Sequence, residues 1–186
     1  MIRIGTHNSA TCLPSSGLLS ILVSPFACCQ SKSIAEQFSA GCRYFDLRLR
    51  MVDGRWRFAH GLWESSACVE DVLGELNNLS KNFIGKTFVM VTYEGSLSEH
   101  EGDSFLSSMI NLFASYPSLT LTEVNVKKPK WRCLCRANKA PNYRQAYMVL
   151  DGRSWHTYLP IPWLWKKIYY PRPDLADGIY SFVDFL

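Results

Sequence analysis

Two histidines, His7 in Gly5-Thr6-His7-Asn8-Ser9 and His60 in Phe58-Ala59-His60-Gly61, stand on either side of Arg43-Tyr44-Phe45-Asp46-Leu47-Arg48. Each stretch has the pattern of a short β-strand that ends in polar side chains. A base, an acid and a permanent cation, delivered to one point by successive strands, suit the in-line opening of a phosphodiester. Asp46 and Arg48, two residues apart, share one strand face with Tyr44, while Phe45, Leu47 and Leu49 occupy the other.

The elements that must position these groups follow from pattern. A first strand is expected over residues 2–6. Ser33-x-x-Glu36 is a capping-box signature and Gly41 sits where a helix C′ glycine belongs, so a helix lies between them. Strands are expected over 43–49 and, after an Asp53-Gly54 turn, over 56–60. Val69, Val72, Leu73, Leu76, Leu79 and Phe83 recur at helical spacing. The apolar run 87–93 reads as a strand covered on both faces. A helix over 103–115 and strands over 146–150 and 179–184 follow. The stretch 119–143 reads mostly as loop, with one short strand at 119–122. Strand and helix alternate through the first two thirds, which predicts a parallel α/β sheet in a single domain spanning 1–186.

Composition narrows the partners. The chain has 186 residues, of which 47% are hydrophobic, enough for one continuous core. A net charge of +4, with the cations scattered apart from Lys127, Lys128, Lys130, Arg132 and Arg136, favours small anionic groups or an anionic membrane surface and argues against nucleic acid. The seven cysteines are odd in number and lack zinc-site spacing, so they read as reduced thiols, mostly buried, in an intracellular reducing compartment. No leader is expected before the His7 motif, and no run reaches the roughly 20 apolar residues of a membrane span. His100 and His156 read as surface or loop histidines.

Gly5-Thr6-His7-Asn8-Ser9-Ala10-Thr11, the segment 30–37 leading into Gly41-Cys42-Arg43-Tyr44-Phe45-Asp46-Leu47-Arg48, and His60-Gly61 together resemble the X domain of phosphatidylinositol-specific phospholipases C, over about residues 3–95. The resemblance implies a TIM-type (β/α) barrel with its site at the C-terminal ends of the strands. It implies cleavage of a phosphatidylinositol-type lipid to diacylglycerol and a cyclic inositol phosphate. His7 would be the general base on the inositol 2-hydroxyl, His60 the general acid at the diacylglycerol oxygen, and Arg48 the clamp on phosphate, oriented by Asp46. Asn8, Glu94, Arg153 and Asp184 would contribute to substrate binding. Asp184 alternatively fits the late carboxylate that orients the first histidine, and Glu94 a simple partner for Arg48.

The chain departs from that pattern in two respects. Many bacterial members have Asp after the first histidine, where this chain has Asn8; calcium-dependent relatives carry Asn there, with carboxylates on the following strands. Arg48 stands where such relatives place a calcium ligand, so catalysis without a metal cofactor is expected and calcium is the lesser alternative. Only six or seven strands are legible, fewer than a full barrel needs, so the barrel is expected to be shortened at its C-terminal end. A second subunit in an oligomer would then cover its open edges. Asn8 and the short C-terminus also admit an inactive barrel kept as a binding or structural module. A metal-dependent glycerophosphodiester type is disfavoured, because its His-Arg opening and Glu-x-Asp pattern are missing. Leu18, Leu19, Ile21, Leu22, Val23 and Phe26 lie where family members carry a membrane-touching helix, with core packing as the other reading. The aromatic and cationic segment 160–170, containing Trp163 and Trp165, has the character of an interfacial loop.

Overall fold

The computed structural model of the chain describes residues 3–128, 132–145, 149–150, 153–154 and 179–183. Nine strands form one sheet: β1 (Arg3–Thr6), β2 (Cys42–Val52), β3 (Arg55–His60), β4 (Trp63–Glu64), β5 (Thr87–Ser96), β6 (Leu119–Lys128), β7 (Arg132–Arg136), β8 (Asn142–Gln145) and β11 (Ile179–Val183). A separate antiparallel pair comprises β9 (Val149–Leu150) and β10 (Arg153–Ser154). The helices are α1 (Gly17–Ala27), α2 (Ile34–Ser39), α3 (Val69–Lys81) and α4 (Glu99–Ala114).

The main path runs β7-β6-β5-β2-β1-β11-β8. From β6 to β8 every neighbouring pair is parallel. The two ends of the path, β7 and β8, are consecutive in the chain and separated only by residues 137–141, so the sheet curls back toward itself as a shortened barrel. Strands β3 and β4 are antiparallel additions to β2. Asp53 and Gly54 make the first hairpin turn with φ of 49° and 73°, the paired positive values of a type I′ turn.

The alternation along β2 divides two cores. Phe45, Leu47 and Leu49 point outward and pack, with Val89, Val91 and Val124, against Leu73 and Leu76 of α3 and Phe105 and Met109 of α4. Tyr44 points into the curl and meets Met90, Tyr180 and Phe182. Its ring lies edge-on to Tyr180 at 5.5 Å and to Phe182 at 4.9 Å, the geometry aromatic quadrupoles favour. This aromatic layer closes the interior below, and the polar residues farther along the same strands stand above it.

Several expectations are corrected. The stretch 119–143 is largely strand: β6 continues to Lys128, β7 pairs back on it, and β8 begins at Asn142. Val124 and Val126 alternate with Glu123, Asn125 and Lys127, but these polar residues line the barrel interior rather than solvent. The helix expected over 103–115 begins at Glu99, because Ser98 and Glu101 form a reciprocal capping box. Phe83 lies beyond α3 and does not join its core stripe. Its ring instead faces the Arg43 guanidinium, 4.0 Å away, with Phe38 at 3.8 Å. Of the seven free cysteines only Cys29 and Cys42 are buried. The strand expected over 146–150 is described only as β9, which pairs with β10 and lies outside the main sheet.

Candidate functional site

Asn8 turns the chain at the end of β1 in the left-handed region, with φ 49° and ψ 47°, a conformation Asn tolerates better than most residues. That turn aims its amide between two rings: Asn8 Nδ2 lies 3.3 Å from His7 Nδ1 and 3.4 Å from His60 Nε2. The turn is fastened to β2, since Asn8 N donates to Asp46 Oδ2 at 3.2 Å and Asp46 N donates to Ser9 Oγ at 2.9 Å. Gln30 Nε2 donates to the His7 carbonyl at 2.9 Å.

Arg48, buried on the inner face of β2 beyond Tyr44 and Asp46, is the hub. Its Nε reaches Asp46 Oδ2 at 3.4 Å, one terminal nitrogen reaches Glu94 Oε2 at 3.5 Å, and the other lies 2.8 Å from His7 Nε2. Glu94 is itself shared. Its Oε1 accepts from Gly61 N at 2.9 Å and from Lys127 Nζ. Burial pushes the Glu94 carboxyl up, but Arg48, Lys127 and the Gly61 N–H outweigh it and hold the group below the usual carboxylate range.

His60 hangs at the end of β3, and its Nδ1 donates to the Ala27 carbonyl at 2.7 Å, the last residue of α1. Burial, then the Arg48 charge, push its pKa down from 6.5 to about 4 against the opposing pull of that carbonyl. The ring is therefore neutral near pH 7.

The fold thus brings together His7, Asn8, Asp46, Arg48, His60 and Glu94. Arg153 stands in the β9–β10 ladder, away from the main sheet, and its side chain lies outside the described groups; Asp184, His156 and the segment 160–170 also lie outside the described residues. His100 is exposed in the first turn of α4. Two site residues escaped the sequence reading. Arg50 continues the Tyr44, Asp46, Arg48 series by one more step of two, and Lys127 continues the series Glu123, Asn125 on β6; both were legible as period-2 continuations.

The site offers few unengaged oxygens among the described residues to a cation such as calcium. Among the described residues, Asn8 Oδ1 and Asp46 Oδ1 are buried oxygens without a hydrogen-bond partner, but calcium asks for six to eight oxygens. The Glu94 oxygens are taken by Arg48, Lys127 and Gly61, and the two cations would repel a divalent ion.

Helix α1 carries an inverted pattern. Ser20 and Ala27 are buried, while Leu18, Leu19, Ile21, Leu22 and Phe26 are exposed, Leu18 by 73%. Its serine face binds the sheet: Glu64 N donates to Ser20 Oγ at 3.0 Å, and Ser16 N to the Glu64 carbonyl at 2.8 Å. No described helix is long and apolar enough to cross a membrane. Core packing is therefore set aside for Leu18, Leu19, Ile21, Leu22 and Phe26, whereas Val23 packs against the apolar core.

No family model matches the chain, nor does any curated protein sequence. Among solved structures it is similar to the phosphatidylinositol-specific phospholipase C of Listeria monocytogenes, with a TM-score of 0.58 and 19% identity, covering 97% of this chain and 71% of that one. It is also similar to the S. aureus phosphatidylinositol-specific phospholipase C, solved in work on the modulation of its membrane binding, with a TM-score of 0.52, 13% identity and coverage of 98% and 73%. The curled parallel sheet, its outer helices and these two likenesses agree that the described residues have the fold of the phosphatidylinositol-specific phospholipases C.

Proposed function

We propose that the protein is a phosphodiesterase that cleaves a phosphatidylinositol-type lipid at a membrane surface without a metal cofactor. The carrying observation is that the Asn8 amide nitrogen stands 3.3 Å from His7 Nδ1 and 3.4 Å from His60 Nε2, with the Arg48 guanidinium 2.8 Å from His7 Nε2. A phosphate anion entering there takes donors from Arg48. His7 Nε2, released from the guanidinium, removes the proton of the inositol 2-hydroxyl, and that oxygen attacks phosphorus. The bond from phosphorus to the diacylglycerol oxygen breaks, and His60 Nε2 gives that oxygen a proton. The products are diacylglycerol and a cyclic inositol phosphate. The negative phosphate also offsets the Arg48 charge at His60, so substrate itself raises the proton affinity of the acid.

The exposed leucines of α1 support a peripheral approach to the bilayer, because apolar side chains in that number are unfavourable in water and favourable at the acyl boundary. The test is release of cyclic inositol phosphate from phosphatidylinositol vesicles followed by phosphorus NMR. His7→Ala and His60→Ala should each lower the rate by about 10² or more. Retained activity in either variant would remove that residue from the mechanism.

A second reading, a barrel that binds a headgroup without cleaving it, draws on one observation: Arg48 is already engaged by Asp46, Glu94 and His7, and His60 is held neutral. Headgroup binding with no product from the wild-type chain would favour it.

A further inference from the structure

Arg50 and Glu94 enclose Gly61, the residue after His60, in a closed ring of hydrogen bonds. Glu94 Oε1 accepts from Gly61 N at 2.9 Å; the Gly61 carbonyl accepts from an Arg50 terminal nitrogen at 2.6 Å; Arg50 Nε donates at 3.0 Å to the main-chain carbonyl of Glu94. The remaining Arg50 nitrogen reaches Glu64 Oε1 at 3.2 Å on the next strand of the same hairpin. Gly61 and Leu62 form a two-residue loop between the paired His60 and Trp63. Gly61 has φ 62°, the positive value a type II′ turn needs at its first position. Such a loop leaves both polar groups of Gly61 pointing away from its own ladder, where they would otherwise be solvated and the turn free to rock. Here both are held, one by β5 and one by β2.

The ring also touches the phosphate clamp. The second oxygen of Glu94 accepts from Arg48, so one carboxylate ties the turn bearing His60 to the guanidinium expected to hold phosphate. Three of Arg50's nitrogens meet three separate acceptors, which a planar guanidinium can serve together and an ammonium cannot.

We infer that Arg50 is a positioning residue for the acid step: with Glu94 it fixes the His60-Gly61 turn relative to Arg48. This rests on the phosphodiesterase reading. A misplacement of about 1 Å in such a group costs about 10²-fold in rate.

Arg50→Lys and Arg50→Gln should fold, as circular dichroism would register, since Arg50 lies at the rim and outside both apolar cores. With phosphatidylinositol, kcat should fall about 10²-fold while KM stays within about threefold. With an inositol 4-nitrophenyl phosphodiester, whose leaving group departs without a proton, the loss should shrink to under about fivefold. Equal losses on both esters would overturn the inference, as would full activity on both. If the wild-type chain cleaves neither ester, the phosphodiesterase reading fails and the positioning is decided by imidazole nitrogen NMR. There, a changed Nδ1–Nε2 shift pattern of His60 in Arg50→Lys, with His7 unchanged, upholds it; an unchanged His60 overturns it.

Discussion

The Arg48 guanidinium lies 2.8 Å from Nε2 of His7, and because a guanidinium only donates, that ring nitrogen is an acceptor. The other ring nitrogen, Nδ1, lies 3.3 Å from Asn8 Nδ2, so the Nε2 lone pair is the one turned toward Arg48 and the site. The same logic at the second ring assigns the His60 proton to Nδ1, because the Ala27 carbonyl only accepts. Both rings turn Nε2 into the site, that of His7 toward the guanidinium and that of His60 toward the Asn8 amide.

Replacing that guanidinium by an ammonium is predicted to be severe. Arg48→Lys keeps the charge but cannot serve Asp46, Glu94, His7 and a phosphate oxygen together. A fall of about 10² to 10³ in kcat is expected, the scale of losing an oxyanion donor. Initial rates on phosphatidylinositol vesicles check it, and a loss under tenfold would contradict the clamp role.

His60 makes folding stability depend on pH in a defined window. Its pKa is lower in the folded chain, about 4, than the ordinary 6.5, so protonation favours the unfolded state. The stabilisation is complete above about 6.5 and is lost as pH falls toward 4, by at most about 1.4 kcal/mol per pH unit. Urea melts at pH 7 and pH 5 should show the loss, and His60→Gln should flatten that part of the profile.

An anion in the site should reverse the depression of His60. Inorganic phosphate offsets Arg48, so the His60 midpoint read by NMR should rise on addition of phosphate, and phosphate should bind more tightly as pH falls from 7 toward 4. A midpoint that stays put would mean that phosphate does not sit between Arg48 and His60.

The leucine face of α1 is predicted to matter for vesicles and not for folding. Leu18→Gln with Leu22→Gln removes apolar groups that are 73% and 64% exposed, so the melting temperature should move by no more than about 2 °C. The vesicle partition constant read by co-sedimentation with phosphatidylinositol vesicles should fall about 10²-fold, since each of the two leucines buried in the acyl boundary contributes on the order of 1.5 kcal/mol. Unchanged sedimentation would assign the helix another role.

Gly5 tests the packing beneath the site. A Cβ there would collide with the Phe182 ring and stand 2.9 Å from the Tyr44 carbonyl. Gly5→Ala should destabilise by roughly 1–3 kcal/mol, the usual range for overpacking, as denaturant melts would show; a neutral result would mean that the ring can turn aside.

The residues of the site and their order were determined by the sequence: period-2 spacing placed Asp46 and Arg48 on one face, and Ser33, Glu36 and Gly41 marked a helix whose caps are as expected. These are local matters, decided by backbone geometry within a few residues. Only the tertiary structure decided that Glu123, Asn125 and Lys127 line an interior, because a polar residue in a strand looks alike whether it faces water or a buried counter-charge. It likewise decided that the α1 leucines face out while its serines face in, since that inversion depends on which side the sheet offers hydrogen bonds. The placing of Glu94 between Arg48, Lys127 and Gly61 joins four elements distant in the chain, and no spacing within one strand encodes such a meeting.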